Sequence, residues 1–252
     1  EAVVSAGNTG ALMAIAKLVL KTLPGISRPA AASLFPTRDG QVVMLDLGAN
    51  LECSAEELFQ FAIMGDAYAR AVLGLEYPRI GLLNVGEEEN KGHPEIREAA
   101  RMIRESDFDL NFYGFVEGNN VPQGLVDVVV SDGFSGNIML KTAEGTARLV
   151  RDFQREAFNS NWVTRFSYLL AYQTMKILRK RLDPRRYNGA MFLGLNGVVV
   201  KSHGGADEYA FYFAILTAVD LAKHRTNQRI IDELKLSGPI AAPQPLAKEG
   251  AA

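Results

Sequence analysis

The chain has 252 residues, of which 48% are hydrophobic and 22% are charged, and its 27 basic and 29 acidic residues give a formal charge of −2. This composition is typical of a globular protein with a sizeable core, and it excludes both a disordered chain and an overall basic protein. The one cysteine, Cys53, excludes an internal disulfide framework, and the three scattered histidines lack metal-ligand spacing. A reducing, cytoplasmic setting fits best, and Cys53, which has no adjacent base, is interpreted as structural.

Apolar runs, loops rich in Gly and Asn, and amphipathic stretches alternate along the chain. The predicted strands cover residues 2–5, 41–47, 79–85, 109–116, 126–131 and 197–201. The predicted helices cover 11–23, a stretch after a capping box at Ser54 and Glu57, 94–105, a long stretch from Ile138, and 208–234. This alternation predicts an α/β fold, with a mainly parallel sheet that helices cover on both faces. Because ligands bind beyond the carboxyl ends of such strands, we expect one ligand-binding rim.

The domain organisation follows from the same pattern. We expect one α/β catalytic domain over residues 1–235, and since Glu1 directly precedes a strand, we expect its N-terminal segment to be missing. A basic amphipathic helical region at 148–187 is expected to project from this domain. Residues 236–252 are rich in Ala, Pro and Gly without periodicity, which predicts a disordered tail. No apolar run is long enough to span a bilayer, and no signal-peptide pattern is present at the N-terminus.

The loop after the first strand is a candidate anion site. A strand that turns through glycines into a helix presents unpaired N–H groups and the positive end of the helix dipole. Phosphate binding and a plain structural turn are equally consistent with this spacing. The loop matches neither the G-x-G-x-x-G nor the Walker pattern, so a conventional dinucleotide or ATP loop is disfavoured. Its candidate ligand-binding residues are Ser5, Gly7, Asn8, Thr9 and Gly10.

Other polar residues after strands have a structural and a functional interpretation. Ser135 lies in a sequence one residue too short for a nucleophile elbow, so a turn or helix-cap role is favoured. Asn137 either caps the following helix or faces a ligand. Lys91 is by default a solvated lysine paired with one of the glutamates at 87–89. His203 is expected on the rim, although an ordinary loop histidine is the commoner outcome.

Positive charge is concentrated in one segment. Residues 148–186 contain ten basic and three acidic residues, a net charge of +7 in a chain of net charge −2. An apolar stripe beside this charge suits an anionic membrane surface, whereas a core-facing helix with a solvated basic face is about equally consistent with the pattern. Nucleic acid is disfavoured because the rest of the chain is acidic. The stripe consists of Trp162, Phe166, Leu169, Leu170 and Ile177.

Together, the motifs resemble the acyl-acyl-carrier-protein:phosphate acyltransferase family of bacterial phospholipid synthesis. Each motif is modest, but the ordered set covers about 230 residues. The matching segments are SAGNTGALM (5–13), LDLGAN (45–50), QFAIMG (60–65), GLLNVGEE (81–88) with Lys91-Gly92, VDVVVSDGFSGN (126–137) with Leu140-Lys141, and NGAMFLGLNG (188–197) leading to SHGGAD (202–207).

The resemblance implies a fold similar to the isocitrate and isopropylmalate dehydrogenases and to phosphotransacetylase. It implies a cytoplasmic homodimer whose helical hairpin contacts the inner face of the membrane, and a reaction in which inorganic phosphate takes a long-chain acyl group from acyl carrier protein without metal or other cofactor. Lys91 and Asn137 match polar positions associated with the active site. The implied substrate- and phosphate-binding residues are Ser5, Gly7, Asn8, Thr9, Gly10, Asn50, Asn84, Asp132, Ser135, Gly136 and His203.

This sequence departs from the family pattern at three places. Residues 117–120 replace a more usual Arg-Asp pair, Leu51-Glu52 replaces a usual Val-Asp, and the family's Asp- and Gly-rich first strand is absent. The last departure bears on the phosphate site, part of which that segment is expected to supply.

Two other functions are compatible with the sequence. A metal- and NAD-dependent decarboxylating dehydrogenase of the same fold would use Asp46, Asp132 and Asp207 as candidate metal ligands, and would reduce NAD in the presence of magnesium. A non-catalytic membrane-binding scaffold would show no phosphate-dependent acyl exchange.

Overall fold

Residues 1–236 are described by a computed structural model, and their framework is an eight-stranded sheet. The strands are β1 (Ala2–Ser5), β2 (Ala30–Pro36), β3 (Gln41–Leu45), β4 (Arg79–Leu83), β5 (Asn111–Val116), β6 (Val128–Val130), β7 (Ala190–Leu193) and β8 (Val198–Lys201). The α-helices are α1 (Thr9–Leu20), α2 (Ala55–Leu73), α3 (Pro94–Glu105), α4 (Gly133–Asn159), α5 (Trp162–Leu182), α6 (Glu208–Lys223) and α7 (Thr226–Leu236). The predicted α/β class is confirmed.

The strand order is β1-β8-β7-β2-β3-β6-β4-β5. β3, β6, β4 and β5 are mutually parallel, and β1 is parallel to β8. Antiparallel pairs join β2 to β3, β2 to β7 and β7 to β8, so the sheet is mixed. As a consequence, β1 and β8 run opposite to β3, β4 and β6. The prediction of one ligand rim was therefore wrong: the loops after β3, β4 and β6 form one edge, called the β3 rim, and those after β1 and β8 form the other, called the β1 rim.

Two strands, β2 and β7, were missed in the sequence. β7 has four residues between glycine-containing turns, and β2 is an Ala-rich run that ends in Pro36, so neither shows the alternation of a half-buried strand. They pair with each other between Ala30 and Leu193 and are central to the sheet. Their burial by neighbours that are distant in sequence determines their conformation.

Two core layers cover the sheet. One layer, called the α1 layer, contains Ala16 with Met44 and Val199, and the first turns of α4 pack against it. The opposite layer, called the α2 layer, contains side chains of α2, α3, α6 and α7. The predicted capping box at Ser54 starts α2. Gly65 lets α2 approach the sheet closely, because a Cβ there would lie 2.6 Å from Val128 Cγ1.

Three predicted helices have other boundaries in the structure. The helix predicted over 11–23 runs from Thr9 to Leu20, because Asn8 caps it. The long helix predicted from Ile138 begins at Gly133, because Asp132 caps it. The helix predicted over 208–234 is broken into α6 and α7, and Arg225 at the break has a left-handed φ of 50°. By contrast, α3 has the predicted bounds.

Helices α4 and α5 pack against each other as a hairpin. Phe158 and Tyr168 make an edge-to-face contact at 5.1 Å, and Arg179 lies over the Tyr168 ring. The opposite side of α5 is exposed, with 81% of Trp162 and 76% of Leu170 accessible. No helix within residues 1–236 has the length and apolar character needed to cross a bilayer. Of the tail predicted at 236–252, residues 237–252 lie outside the described part of the chain.

Candidate active site

The loop after β3 is built around Asp46. The side chain is fully buried, and its carboxylate accepts N–H groups from Ala31 at 2.9 Å, Ala49 at 3.0 Å and Asn50 at 2.7 Å. Burial raises the pKa of the Asp46 carboxyl, while these backbone donors oppose the rise. A carboxylate surrounded in this way fixes the loop from Asp46 to Asn50 onto the end of β2.

Asn50 is part of the same framework. Its side chain is buried, and its Nδ2 donates to Pro29 O and to Asp46 Oδ2, both at 2.9 Å. Asn50 was expected to bind substrate, but its amide nitrogen is engaged within the protein. Its contribution here is to hold the loop.

The start of α4 is pressed against this loop through two glycines. A Cβ on Gly133 would lie 2.4 Å from Asn50 O, and a Cβ on Gly136 would lie 2.0 Å from Asp46 O. Gly133 N also donates to Asn50 O at 2.8 Å. Only glycine permits this approach, so the spacing of the DGFSGN segment fixes the first turn of α4 to the β3 rim.

Asn137 lies on the exposed side of that first turn. Asp132, not Asn137, caps the helix, since it accepts from Ser135 N at 2.7 Å and from Ser135 Oγ at 3.1 Å. The capping interpretation of Asn137 was therefore wrong, and the turn or cap role favoured for Ser135 agrees with these bonds. The Asn137 side chain lies beside Gly48, whose ideal Cβ would be 3.4 Å from Asn137 Cβ. The Asn137 amide therefore lies next to the backbone of Gly48 on the β3 rim.

The loop after β4 carries Lys91 and is held by Asn84. Asn84 is 8% exposed, and its Nδ2 donates to Gly86 O at 3.1 Å and to Lys91 O at 3.2 Å. Its Oδ1 is buried beneath Gly92, where a Cβ would lie 1.9 Å away. Asn84 was expected to bind substrate, but its amide nitrogen holds the backbone of Lys91 in place.

The Lys91 ammonium has no ion pair within residues 1–236. Two of the glutamates expected to pair with it have other partners: Glu87 accepts from Asn120 at 2.7 Å, and Glu89 is bonded to Arg104. Because β4 neighbours β6 in the sheet, the Lys91 loop and the start of α4 leave adjacent strands at one edge. Lys91 and Asn137 therefore lie in loops at the same edge of the sheet.

The β1 rim contains the glycine loop and His203. Asn8 caps α1 by accepting from Ala11 N at 3.0 Å, and Ser5 Oγ accepts from Gly7 N at 3.1 Å. The backbone N–H of His203 donates to Asn188, and Nδ1 of its ring accepts from Gly205 N at 3.1 Å.

The thirteen predicted site residues therefore fall into two groups. The β3 rim brings together Asn50, Asn84, Lys91, Asp132, Ser135, Gly136 and Asn137. The β1 rim brings together Ser5, Gly7, Asn8, Thr9, Gly10 and His203.

The carboxylates of the rival dehydrogenase do not converge. Asp46 and Asp132 belong to the β3 rim, whereas Asp207 caps α6 beside the β1 rim and pairs with Arg185 at 3.0 Å. Within the described part of the chain, no group of three or more His, Cys, Asp or Glu residues is placed to hold a metal ion.

Comparison with known proteins shows the family of this chain. The family model described as "Fatty acid synthesis protein" matches residues 1–229. The phosphate acyltransferase of Rhodospirillum centenum is 60% identical over 99% of this chain and 71% of its own length. That of Paramagnetospirillum magneticum is 55% identical over 97% of this chain and 70% of its own length. The chain belongs to the phosphate acyltransferase family. The resemblance inferred from the motifs is confirmed.

Solved structures share the fold of this family member. A phosphotransacetylase from Streptococcus pyogenes superposes with a TM-score of 0.57 at 21% identity, over 86% of this chain and 61% of its own. The EutD phosphotransacetylase of Staphylococcus aureus gives a TM-score of 0.54 at 18% identity, over 85% of this chain and 58% of its own. The expected likeness to the phosphotransacetylase fold is confirmed.

Proposed function

We propose that this protein transfers a long-chain fatty acyl group from the thioester of acyl carrier protein to inorganic phosphate, giving acyl phosphate for phospholipid synthesis. Membership of the phosphate acyltransferase family over residues 1–229 supports this activity. The observation that carries the residue assignment is the β3 rim, where the unpaired ammonium of Lys91 and the exposed amide of Asn137 follow adjacent strands.

The chemistry requires charge stabilisation more than proton transfer. Phosphate is already anionic near pH 7, so one of its oxygens attacks the thioester carbonyl without a strong general base. The new C–O bond pushes the carbonyl electrons onto oxygen, and the collapse of this oxyanion breaks the C–S bond and releases the carrier thiolate, which takes a proton from solvent. We assign Lys91 and Asn137 to the oxyanion or the phosphate, where one fixed donor contributes about 3 to 4 kcal/mol.

Acyl phosphate trapped by hydroxylamine is the direct assay, with palmitoyl-acyl carrier protein and phosphate as substrates. Lys91→Ala is expected to lower turnover more than roughly tenfold without lowering the melting temperature, because the side chain is exposed and contributes little to the core. Lys223→Ala, on the exposed end of α6, is the matched control and retains wild-type turnover. Equal rates for both variants would return Lys91 to the role of a solvated loop lysine.

The acyl donor is tested separately from the reaction. We expect kcat/KM to be higher for palmitoyl-acyl carrier protein than for palmitoyl-coenzyme A, because the carrier protein offers further contacts besides the thioester. Equal values would contradict carrier-protein recognition and leave phosphate acyl transfer intact. Acyl hydroxamate formation that does not depend on phosphate would contradict the reaction itself.

We propose that the projecting region at 148–187 binds anionic membranes peripherally. The inner face of α5, with Tyr168 and the buried Met175, packs toward α4, so the stripe points outward. The interpretation of the stripe as part of this chain's own core is therefore wrong. Each apolar side chain transferred into the interface contributes about 1.5 to 3 kcal/mol, and each basic residue near anionic lipid about 1 kcal/mol. The exposed apolar residues are Trp162, Phe166, Leu169, Leu170 and Ile177.

Vesicle sedimentation tests this surface. A Phe166→Glu/Leu170→Glu double variant is expected to lose binding to phosphatidylglycerol vesicles while it keeps soluble turnover, since both residues lie far along the hairpin from the β3 rim. Added salt is expected to weaken binding of the wild type. A double variant that still sediments, or equal wild-type binding to neutral and anionic vesicles, would instead make the stripe a dimer surface.

We propose that residues 1–235 act as one catalytic domain of the isocitrate dehydrogenase type and that the protein is a homodimer. Exposed apolar residues on α1, such as Leu18 and Val19, offer a surface apart from the hairpin for subunit contact. Sedimentation equilibrium is expected to give twice the chain mass of 27.5 kDa at micromolar concentration. A monomer with full turnover would contradict the dimer.

A further inference from the structure

Lys201 ends β8 and points toward the α1 layer. Side chains alternate across a strand, and Val199 packs in the α1 layer whereas Val200 packs in the α2 layer. Lys201 therefore shares the side of Val199. Its register partner on the parallel strand β1 is Ser5, and because Val4 packs with the α2 layer, Ser5 points to the same side as Lys201. The half-buried side chain of Lys201 and the hydroxyl of Ser5 are therefore neighbours at the β1 rim.

The first turns of α4 cross the same side of the sheet. Met139 and Leu140 pack against the α1 layer that contains Val199, and Lys141 follows them. The positive charge of Lys141 acts on Lys201, and burial and this charge together lower the pKa of Lys201. Lys141 therefore follows the part of α4 that covers the side of the sheet on which Lys201 lies.

The two lysines differ in their partners. Lys201 Nζ donates to the carbonyl of Ser202, and no carboxylate forms an ion pair with it within residues 1–236. Lys141 contacts Glu144 at 3.0 Å, but Arg148 shares the same carboxylate at 3.7 Å. A partly buried ammonium beside a second cation is costly unless an anion joins them. An oxyanion bound by both ammonium groups would offset this cost.

We propose that Lys141 and Lys201 bind the phosphate ion that accepts the acyl group. The inference rests on the proposed function and deepens it by assigning its second substrate to a site. Lys141 follows Asn137 by four residues, which is about 6 Å along a helix, so an ion held by the two lysines lies about one turn from the Asn137 amide. Ser5 Oγ accepts from Gly7 N, which leaves its O–H to donate to the same ion. The proposed site lies on the face of the sheet that the α1 layer covers, between the two rims.

Steady-state kinetics of the full chain tests this assignment, with Lys141→Met, Lys201→Met and the control Lys223→Met. The KM for phosphate is expected to rise at least tenfold in the first two variants, while the KM for palmitoyl-acyl carrier protein changes less than threefold. Lys201→Arg, which keeps the charge, is expected to recover part of the loss. A rise in the KM for the acyl donor instead of that for phosphate would place a phosphodiester of the donor at the lysines. Unchanged KM values for both substrates would remove Lys141 and Lys201 from the site. Either result overturns the proposal.

Direct binding separates this inference from the proposed activity. Calorimetric titration of the wild-type chain with inorganic phosphate, in the absence of acyl donor, is expected to give heat that both lysine-to-methionine variants lose and Lys223→Met keeps. Equal heats with sulfate at matched ionic strength would indicate an unselective cationic patch and overturn the proposal. Lysine-dependent phosphate binding in a protein without acyl transfer would support the site and contradict the proposed function alone.

Discussion

Replacing Gly136 by alanine probes how strictly α4 must be seated on the β3 rim. The new Cβ would lie 2.0 Å from Asp46 O and 2.6 Å from Ser131 Oγ. Ordinary contact begins near 3.4 Å, so the start of the helix must retreat by about 1.4 Å, and Asn137 is the next residue. Misplacement of a reacting group by 1 Å costs on the order of 100-fold in rate, and overpacking costs about 1 to 3 kcal/mol of stability.

Gly145→Ala is the matched control, because it lies on the same helix and a Cβ there meets no atom within 4 Å. We expect it to keep full turnover and to gain about 0.5 to 1 kcal/mol from better helix propensity. Gly136→Ala is expected to lose activity in the hydroxylamine assay at a temperature where circular dichroism shows both variants folded, and to melt roughly 2 to 12 °C lower. Gly136→Ala with half the wild-type rate or more and an unchanged melting temperature would refute the seating of α4 on Asp46.

The other predictions concern capping, pH and thiol reactivity. Asp132→Ala is expected to lower the free energy of unfolding, measured by urea titration, by about 1 kcal/mol, because Asp132 caps α4. Asn137→Ala is expected to lower turnover without this loss of stability. Equal destabilisation by the two substitutions would contradict these roles. Although burial acts to raise it, bonds from Arg79 hold the pKa of Asp127 below its usual 3.8. The pair of Arg79 and ionised Asp127 therefore stabilises the protein above that pH. The melting temperature of Asp127→Asn should be lower than that of the wild type at pH 7, and the two melting temperatures should converge as the pH falls below 3.8. A difference that stays constant with pH would contradict this prediction. Burial, followed by the charge of Asp46, raises the pKa of Cys53 to about 12, so iodoacetamide at pH 8 should label it only after unfolding in urea, and rapid labelling of the folded chain would contradict its structural role.

Local patterns predicted the elements that local physics determines. Ser54 and Glu57 predicted the start of α2, since a capping box is a short-range interaction, and the bounds of α3 followed from Pro94 and its amphipathic spacing. The division of the ligand loops between two rims was not visible in the sequence. It depends on the pairing of Ala30 with Leu193, which are far apart in the chain and lie in strands without a recognisable pattern.

Within the candidate site, residue type was easier to predict than residue role. Asn137 and Lys91 lie on the rim where the motifs placed them, but Asn84 and Asn50 hold loops through bonds to carbonyl groups that no spacing indicates. For Asp46 the sequence predicts only a metal-ligand role. The available signal was the position of this carboxylate, directly after an apolar strand and two residues before Gly48. Its burial among backbone donors depends on the pairing of β2 with β3, which the sequence did not show.

Helix α4 is a long rod whose first turn is fixed at the candidate active site. Its 27 residues place Asn159 about 39 Å from Gly133, whereas Asn137 is about 6 Å from that pivot. A tilt that carries the hairpin end of the rod through about 4 Å would therefore move Asn137 by only about 0.6 Å. The hairpin end, which carries the exposed apolar stripe, can therefore move while the Asn137 amide near the start of α4 stays nearly still.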